Sequence, residues 1–389
     1  MLSNKYDYIV VGIGGIGSAA LYWLCKNAPG KKILGIEQFK LGHVNGGSQD
    51  VSRIIWETVE RESGMQLVYR TGGIYWTTPD TGEMPVVESC YYSMAEAGSR
   101  CELLSGPEMR MRWPRLNVPD DAKGVYDPDS GLVDAAMGNS MHQQLAECRG
   151  AQIIENTKVT RIENCGPEDI KVYTHDGKLF ECCKIIINAG AWLNDLLKPL
   201  GCHVPVKVSQ ENVSYFATKY PKYFTKENFP VLLYACPNLN IYTLPIHGIG
   251  GFKLGIDAGG QAVTGDNRTF VPDPVREQKV TQFLEKYVPK AAGRVMETKV
   301  CLYTMTLDRT FVIDTLHRNG NDDVILCCGA GHAYKFASLF GKILSELAVH
   351  GSTQYDISKF TLDRPAITDA NFKPRFAPIA TTPKPSAKL

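Results

Sequence analysis

The stretch YDYIVVGIGGIGSAALYWLCKN, residues 6–27, constrains the fold more than any other part of the chain. The apolar, β-branched run Tyr8–Val11 predicts a strand, and Ser18–Leu24 predicts a helix. Between them Gly12, Gly14 and Gly17 stand in G-x-G-x-x-G spacing, the context the dinucleotide fingerprint requires. Gly12 permits the tight turn, Gly14 lets a pyrophosphate approach the backbone, and Gly17 allows close helix–strand packing. The phosphates then rest on a helix N-terminus, where free N–H groups and the helix dipole favour negative charge. A second predicted strand, KKILGIEQF, carries Glu37 twenty residues after Gly17. A carboxylate there accepts hydrogen bonds from an adenosine ribose and disfavours a 2′-phosphate. The fingerprint leaves NAD and FAD open.

Two later segments extend the Rossmann-type pattern. TKVTRIENC, VYTHDG and KLFECCKIIINAGAW read as a β-meander returning to a buried strand at Lys184–Asn188, followed by a sharp turn at Asn188–Trp192. DDVILCCGAGHAYKFASLFGKILSELAVHG repeats strand, glycine loop and helix near the C-terminus. The expected fold class is therefore α/β, two-lobed, with a Rossmann-type dinucleotide-binding domain and an inserted mixed-sheet substrate domain. The expected boundaries are 1–80, 136–214 and 296–389 for the cofactor domain, and 81–135 with 215–295 for the substrate domain. Substrate sites favour the boundary between such lobes.

The 42 Lys and Arg nearly cancel the 41 Asp and Glu, so no nucleic-acid or acidic-membrane partner is expected. The uncharged run after Tyr8 has no basic leader and is broken by glycines, unlike a signal peptide or membrane span. Twelve cysteines show no CxxC pair and no matched His/Cys spacing, so no metal site is expected. The pairs Cys182–Cys183 and Cys327–Cys328 lie in apolar runs and read as reduced core residues. The chain ends in Ser-Ala-Lys-Leu, and Ala387-Lys388-Leu389 on an exposed 381–389 tail matches the peroxisomal import signal. A peroxisomal import receptor is the partner this implies.

Cys301 opens the stretch CLYTMTLDRTFVID. A free cysteine is ordinarily a small buried hydrophobe. Here, however, GIGGIGS, HVNGGSQDVSRII, GGFKLG, CLYTMTLDRTFVID, GAGHAYKFAS and YDISKFTLDRP together resemble the monomeric sarcosine oxidase family, including its peroxisomal sarcosine/pipecolate oxidases. The resemblance covers nearly the whole chain. It implies that the cofactor domain is an FAD-binding domain of the glutathione-reductase/D-amino-acid-oxidase kind, with FAD bonded through the sulfur of Cys301 to the flavin 8α-methyl group. It implies Lys253 as the cation above the flavin that activates oxygen, stabilising superoxide as the first electron transfers. It implies Lys335 as the substrate-carboxylate lysine, with His332 in the same cofactor loop, and Tyr242 and Tyr303 as aromatic residues closing over the substrate. Ser52 and Arg53 match residues beside the flavin. The implied reaction removes a hydride equivalent from the α-carbon of a secondary amine or imino acid (sarcosine, another N-methyl amino acid, pipecolate or proline). The products are an imine and hydrogen peroxide, the partners are a small amine and O2, and the expected state is a monomer.

Three departures from the family pattern stand out. Relatives follow R-I-I with a further arginine that clamps the substrate carboxylate, then a loop and helix. Here Arg53-Ile54-Ile55 runs straight into Trp56-Glu57-Thr58, which reads as a deletion of roughly twenty residues, up to about 30 Å of chain if helical. The alternative function is therefore a catalytically impaired flavoprotein isoform with apolar surface left exposed. Asp257 stands where sarcosine-type relatives often have histidine, predicting either a more basic substrate or a pair with Lys253. Gly47-Ser48-Gln49-Asp50 replaces the usual S-H-H-G. An NAD-dependent reductase, the third possibility, leaves Cys301 and Lys253 without a role.

Overall fold

A computed structural model describes residues 4–43, 45, 56–237 and 239–374. Two large sheets organise the chain. The first begins with β1 (Lys5–Val11), which leads through the glycine turn into α1 (Gly15–Asn27) and then β2 (Ile33–Ile36). Both strands are apolar on both faces, as strands in the middle of a parallel sheet must be. β1 pairs in parallel with β2 on one side and with the strand Leu179–Ile187 on the other. Gln152–Ile154 extends the sheet beyond β2, and Asn321–Cys328 extends it beyond Leu179–Ile187. The expected meander is present: Val159–Gly166, Asp169–Thr174 and Leu179–Ile187 pair antiparallel in succession.

Helices cover one face of this sheet. α1 and the helices Ala135–Glu147 and Ala337–His350 pack Leu21, Leu24, Ala146, Phe340 and Leu344 into one apolar cluster. The meander and the short helix Leu193–Leu197 close the other face through Ile162, Val172 and Leu196. The sheet thus reads as the doubly covered layer expected of a Rossmann-type lobe.

The second sheet is mixed, with nine strands. The helix Pro274–Tyr287 covers its outer face, packing Val280, Phe283 and Leu284 against Phe252, Leu254 and Ile256. Asp273 caps that helix by accepting from Val275 N and Arg276 N, and Pro274 occupies its first turn.

Sheet membership departs from the boundaries expected from sequence. Gly73–Thr77, most of Val206–Phe216 and all but the first residue of Val295–Thr306 belong to the second sheet, although they fall in ranges expected for the cofactor domain. The pairing of the last two runs antiparallel from Val206–Thr306 to Phe216–Val295. An alternating apolar pattern marks a strand, but its partner is decided by contacts distant in sequence. α1 is also longer than predicted at both ends.

The chain resumes at Trp56, which opens a helix, Trp56–Ser63. Trp56 and Val59 are fully buried. Trp56 packs on His142 and Tyr334, with ring centroids 4.9 and 5.7 Å away. The Ile55–Trp56 junction itself lies outside the described residues, as do the Gly47–Asp50 segment and the 381–389 tail.

His142 has a consequence for pH. It is completely buried between Tyr22 and Trp56, and burial pushes its imidazole down to about 3. In the unfolded chain it titrates near 6.5, so between these values the unfolded state binds the extra proton. Stability therefore rises with pH through this window and is lost on acidification. At pH 4.5 this histidine is expected to cost about 2–3 kcal/mol relative to pH 7. Urea unfolding at both pH values checks it, and His142→Phe should remove that part of the slope.

Candidate active site

At the nucleotide end the glycine turn is held by close backbone packing. Gly12 has φ +84°, and a Cβ on it would lie 2.5 Å from the Asn188 carbonyl oxygen. A Cβ on Gly17 would lie 1.8 Å from the Gly12 carbonyl oxygen, while at Gly14 no atom stands within 4 Å. So Gly12 and Gly17 are required by packing, and Gly14 leaves open space for a ligand. Gly17→Ala must push helix and turn apart, at an expected cost of at least about 1–3 kcal/mol. The purified variant should lose its yellow cofactor, read by the visible absorption of the protein after gel filtration.

Glu37 is 3% exposed and does more than the fingerprint assigns it. Its Oε2 accepts from Ile13 N at 2.8 Å and its Oε1 from Phe39 N at 3.1 Å, with His43 Nε2 3.3 Å away. The carboxylate braces the turn on which the phosphates of a dinucleotide would rest. A cleft with about 1170 Å³ of empty space, open mouth included, runs from Gly12, Gly14 and Glu37 to Leu302, Thr304 and Gly331. Asn188 lines it, and both polar side-chain atoms of Asn188 are buried with no hydrogen-bond partner. The residues present therefore fit FAD: a glycine cradle, a buried acid at the ribose end, and unsatisfied polar atoms along the wall.

The cleft reaches the second sheet at Leu302 and Thr304, and strand register shows which residues share the alternate face, that of Cys301 and Tyr303. Tyr242 on Ile241–Leu244 stands opposite Gly255 on Phe252–Ile256; Gly255 stands opposite Val213 on Val206–Phe216; Val213 stands opposite Lys299. Directly opposed residues share a face, and so do residues two apart along a strand. Tyr242, Lys253, Cys301 and Tyr303 consequently share one face of four adjacent strands. The Tyr242 hydroxyl lies over Gly255, and Tyr303 packs on Gly331 of the GAGH loop.

Lys253 is 8% exposed, so it is no surface lysine, and its Nζ lies 6.0 Å from the centre of the Tyr215 ring. Cys301 Sγ donates to the Glu211 carbonyl at 3.7 Å. Burial pushes this thiol up to about 11; Glu211 adds to the rise, while Lys253 and Arg268 oppose it. Burial likewise holds the Tyr303 phenol well above its ordinary range.

Asp257 corrects the sequence reading. It pairs with Arg309, not Lys253: Nη1–Oδ2 is 2.7 Å and Nη2–Oδ1 is 3.0 Å. Burial pushes the Asp257 carboxyl up, but the Arg309 hydrogen bonds and the charges of Arg309, His332 and Lys335 outweigh it and hold the group below its usual value. His332 lies in the same cluster, its Nε2 donating to the Arg309 carbonyl at 3.2 Å. Burial, then Lys335 and Arg309, push its imidazole down to about 4, so it is neutral near pH 7. Lys335, half-buried, extends along the Phe336 ring. Ser52 and Arg53 lie outside the described residues.

Three residues near these positions were missed from sequence. Arg268 is buried, donates to Asn45 O at 2.9 Å and to Val300 O at 2.8 Å, and its charge reaches Cys301. Glu211, opposite Cys301 in the sheet, binds Arg276. Arg309 is the third. None sits in a recognisable motif except Arg309, two residues before Phe311 in the Cys301 stretch, where an arginine beside an acid reads as surface.

Among the described residues no His/Cys/Asp/Glu group could hold a metal ion, all twelve cysteines are free, and no helix is long and apolar enough to cross a membrane. The two-lobed α/β fold and its cleft define a dinucleotide-binding oxidoreductase. Residues 50–347 match the FAD dependent oxidoreductase family. The chain is 33% identical to monomeric sarcosine oxidase of Bacillus sp. (strain B-0618), with 95% of this chain and 98% of the relative covered. It is 27% identical to peroxisomal sarcosine oxidase of Homo sapiens, covering 93% and 96%. The fold is similar to NikD, an unusual amino acid oxidase essential for nikkomycin biosynthesis, with a TM-score of 0.80, 22% identity, and 92% and 98% of the chains covered. The chain belongs to the monomeric sarcosine oxidase family of FAD dependent oxidoreductases.

The Bacillus alignment spans 391 positions but takes in only 95% of this chain's 389 residues, about 370. About twenty positions are therefore gaps on this chain's side.

Proposed function

We propose that this chain is an oxidase of a secondary amine or imino acid bearing a carboxylate, using FAD and O2 and releasing an imine and hydrogen peroxide. The observation that carries this reading is the shared face of Tyr242, Lys253, Cys301 and Tyr303, with Tyr303 packed on Gly331 at the wall of the dinucleotide cleft. FAD, when bound, accepts the hydride equivalent from the amine and passes its electrons to O2. Lys253 supplies a fixed buried cation where negative charge develops on oxygen, the kind of preorganised electrostatics that costs no reorganisation during reaction. Lys335 draws the substrate carboxylate, and Tyr242 with Tyr303 encloses the amine and excludes water. Gly12, Gly14, Gly17, Glu37, Ser52, Arg53 and His332 contact the cofactor.

In this reading Cys301 is the residue that would hold the cofactor through its sulfur. Lys253 and Arg268 work against burial to favour the thiolate such a bond requires. The protein acts as a monomer, and Ala387-Lys388-Leu389 addresses it to the peroxisome, where a peroxide producer is well placed.

The second reading, an isoform impaired in catalysis, rests on the direct run of Arg53-Ile54-Ile55 into Trp56 in the sequence. One experiment separates the two. Sarcosine, other N-methyl amino acids, pipecolate and proline are compared with their decarboxylated analogues for peroxide release. Peroxide from a carboxylate-bearing member, and much less from its analogue, is expected. A yellow protein that yields none from any of them would leave the impaired isoform.

A further inference from the structure

One turn of the second-sheet lobe joins three walls of the dinucleotide cleft, a feature the proposed chemistry does not use. Resting on the reading of that cleft as the FAD site, we infer that Arg268 and Asp266 are positioning residues for the cofactor. The turn that carries them, residues 264–268, clasps the rim of the cleft and slows the cofactor's escape.

The contacts define the clasp. Asn45, Lys158 and Trp192 line the cleft, and so do Leu302 and Thr304 on the strand Val295–Thr306. Arg268 reaches two of these walls at once. Its Nη1 donates to the Asn45 carbonyl at 2.9 Å, and its Nη2 donates to the Val300 carbonyl, on the Cys301 strand, at 2.8 Å. Asp266 reaches the third wall, where its Oδ1 accepts from Trp192 Nε1 at 2.7 Å and its Oδ2 stands 3.9 Å from Lys158 Nζ. A Cβ on the intervening Gly265 would lie 2.3 Å from the Trp192 ring, so the glycine lets the turn lie against the indole.

The turn is also built to keep its shape. Thr264 N donates to Asn267 Oδ1 at 2.7 Å and Asn267 N to Thr264 Oγ1 at 3.1 Å, closing it on itself. Both stems are tied to the strand Val206–Phe216: Val263 N donates to Val208 O at 3.0 Å, and Thr269 N to Gln210 Oε1 at 3.0 Å. Gln210 Nε2 also donates to Val271 O at 3.0 Å. Gln210 thus grips both neighbours of Phe270, which adopts φ +59°, a conformation that persists in a residue with a side chain only where the surroundings enforce it. The Phe270 ring centre then lies 3.8 Å from Arg268 Cζ. Arg268 is buried, and hydrogen bonds from a charged donor to carbonyls screened from water are the strong ones. Contacts that hold the walls of a site together act mainly on the rate at which its ligand leaves.

The test follows FAD release from full-length holoenzyme carrying Cys301→Ser, in which the flavin is free to leave whatever its linkage in the wild type. Release is read as the rise in flavin fluorescence after dilution, and the visible circular dichroism of the bound flavin reports its seating. Arg268→Met is expected to speed release about tenfold to a hundredfold, the loss for hydrogen bonds from a charged donor, and to change the dichroism. Arg268→Lys keeps the charge but not the two-pronged fork and should fall between. Asp266→Ala, at the exposed end of the clasp, should speed release about threefold to tenfold and serves where Arg268→Met fails to fold. Lower thermal stability with release and dichroism unchanged, in Arg268→Met or failing that in Asp266→Ala, overturns the inference and leaves the FAD reading standing. Cys301→Ser protein that purifies colourless from a yellow wild type also overturns it, because the clasp then retains nothing. A wild type that carries no flavin removes both.

Discussion

Lys253→Met is expected to slow oxygen consumption by about 10²–10³-fold, the usual loss when one preorganised charge is removed from a dry site. Bleaching of the yellow enzyme by its amine under anaerobic conditions should change far less. The distinction follows from where Lys253 stands. It lies on the inner face of the sheet, between Tyr215 and Leu244 on neighbouring strands, nearly buried, with its charge felt at Cys301. A lysine so enclosed is positioned by the sheet and contributes charge, not substrate contact. Stopped-flow absorbance, mixing reduced enzyme with O2 in one experiment and oxidised enzyme with amine in another, separates the two steps. Equal reoxidation rates in variant and wild type would remove Lys253 from its role.

The second large effect concerns the buried pair beside Cys301. Glu211 Oε2 lies 2.5 Å from Arg276 Nη2, and its Oε1 accepts from Ser209 Oγ and Gly260 N. The two side chains are 2% and 10% exposed. Glu211→Ala leaves a guanidinium buried beside the carbonyls of Ile256 and Ala258, and should cost about 3–5 kcal/mol by denaturant unfolding. Replacing both partners, Glu211→Gln with Arg276→Met, should recover most of that loss. The exposed pair Arg70–Glu57 is the control: Arg70→Ala should cost no more than about 1 kcal/mol. A small loss for Glu211→Ala would mean that Arg276 is already satisfied by backbone carbonyls.

What the sequence disclosed, and what it hid, divides along a physical line. The glycine turn was legible because Gly12 and Gly17 meet backbone within a few residues or one strand crossing, and their spacing encodes that contact. Cys301 and Lys253 were found through resemblance. That they share a face with Tyr242 follows from period-two alternation once the strand pairs are known, and the pairs themselves were not legible. For the same reason the expected boundaries cut through Val206–Phe216 and Val295–Thr306, which pair with each other in the second sheet. Asp257 was noticed, but its partner lies 52 residues away, beyond the helix Pro274–Tyr287 and the strand Val295–Thr306, so Lys253, four residues off, seemed the natural choice. Arg268 and Glu211 left no signal at all, because a charge buried by tertiary contacts looks like any surface charge in one dimension.

FAD in the cleft with Cys301 as its proposed anchor is tested most directly by acid precipitation of the purified full-length protein. Yellow absorbance should stay with the pellet in the wild type and pass to the supernatant in Cys301→Ser. Colour in the wild-type supernatant would contradict the anchor, and a colourless protein would contradict the flavin itself.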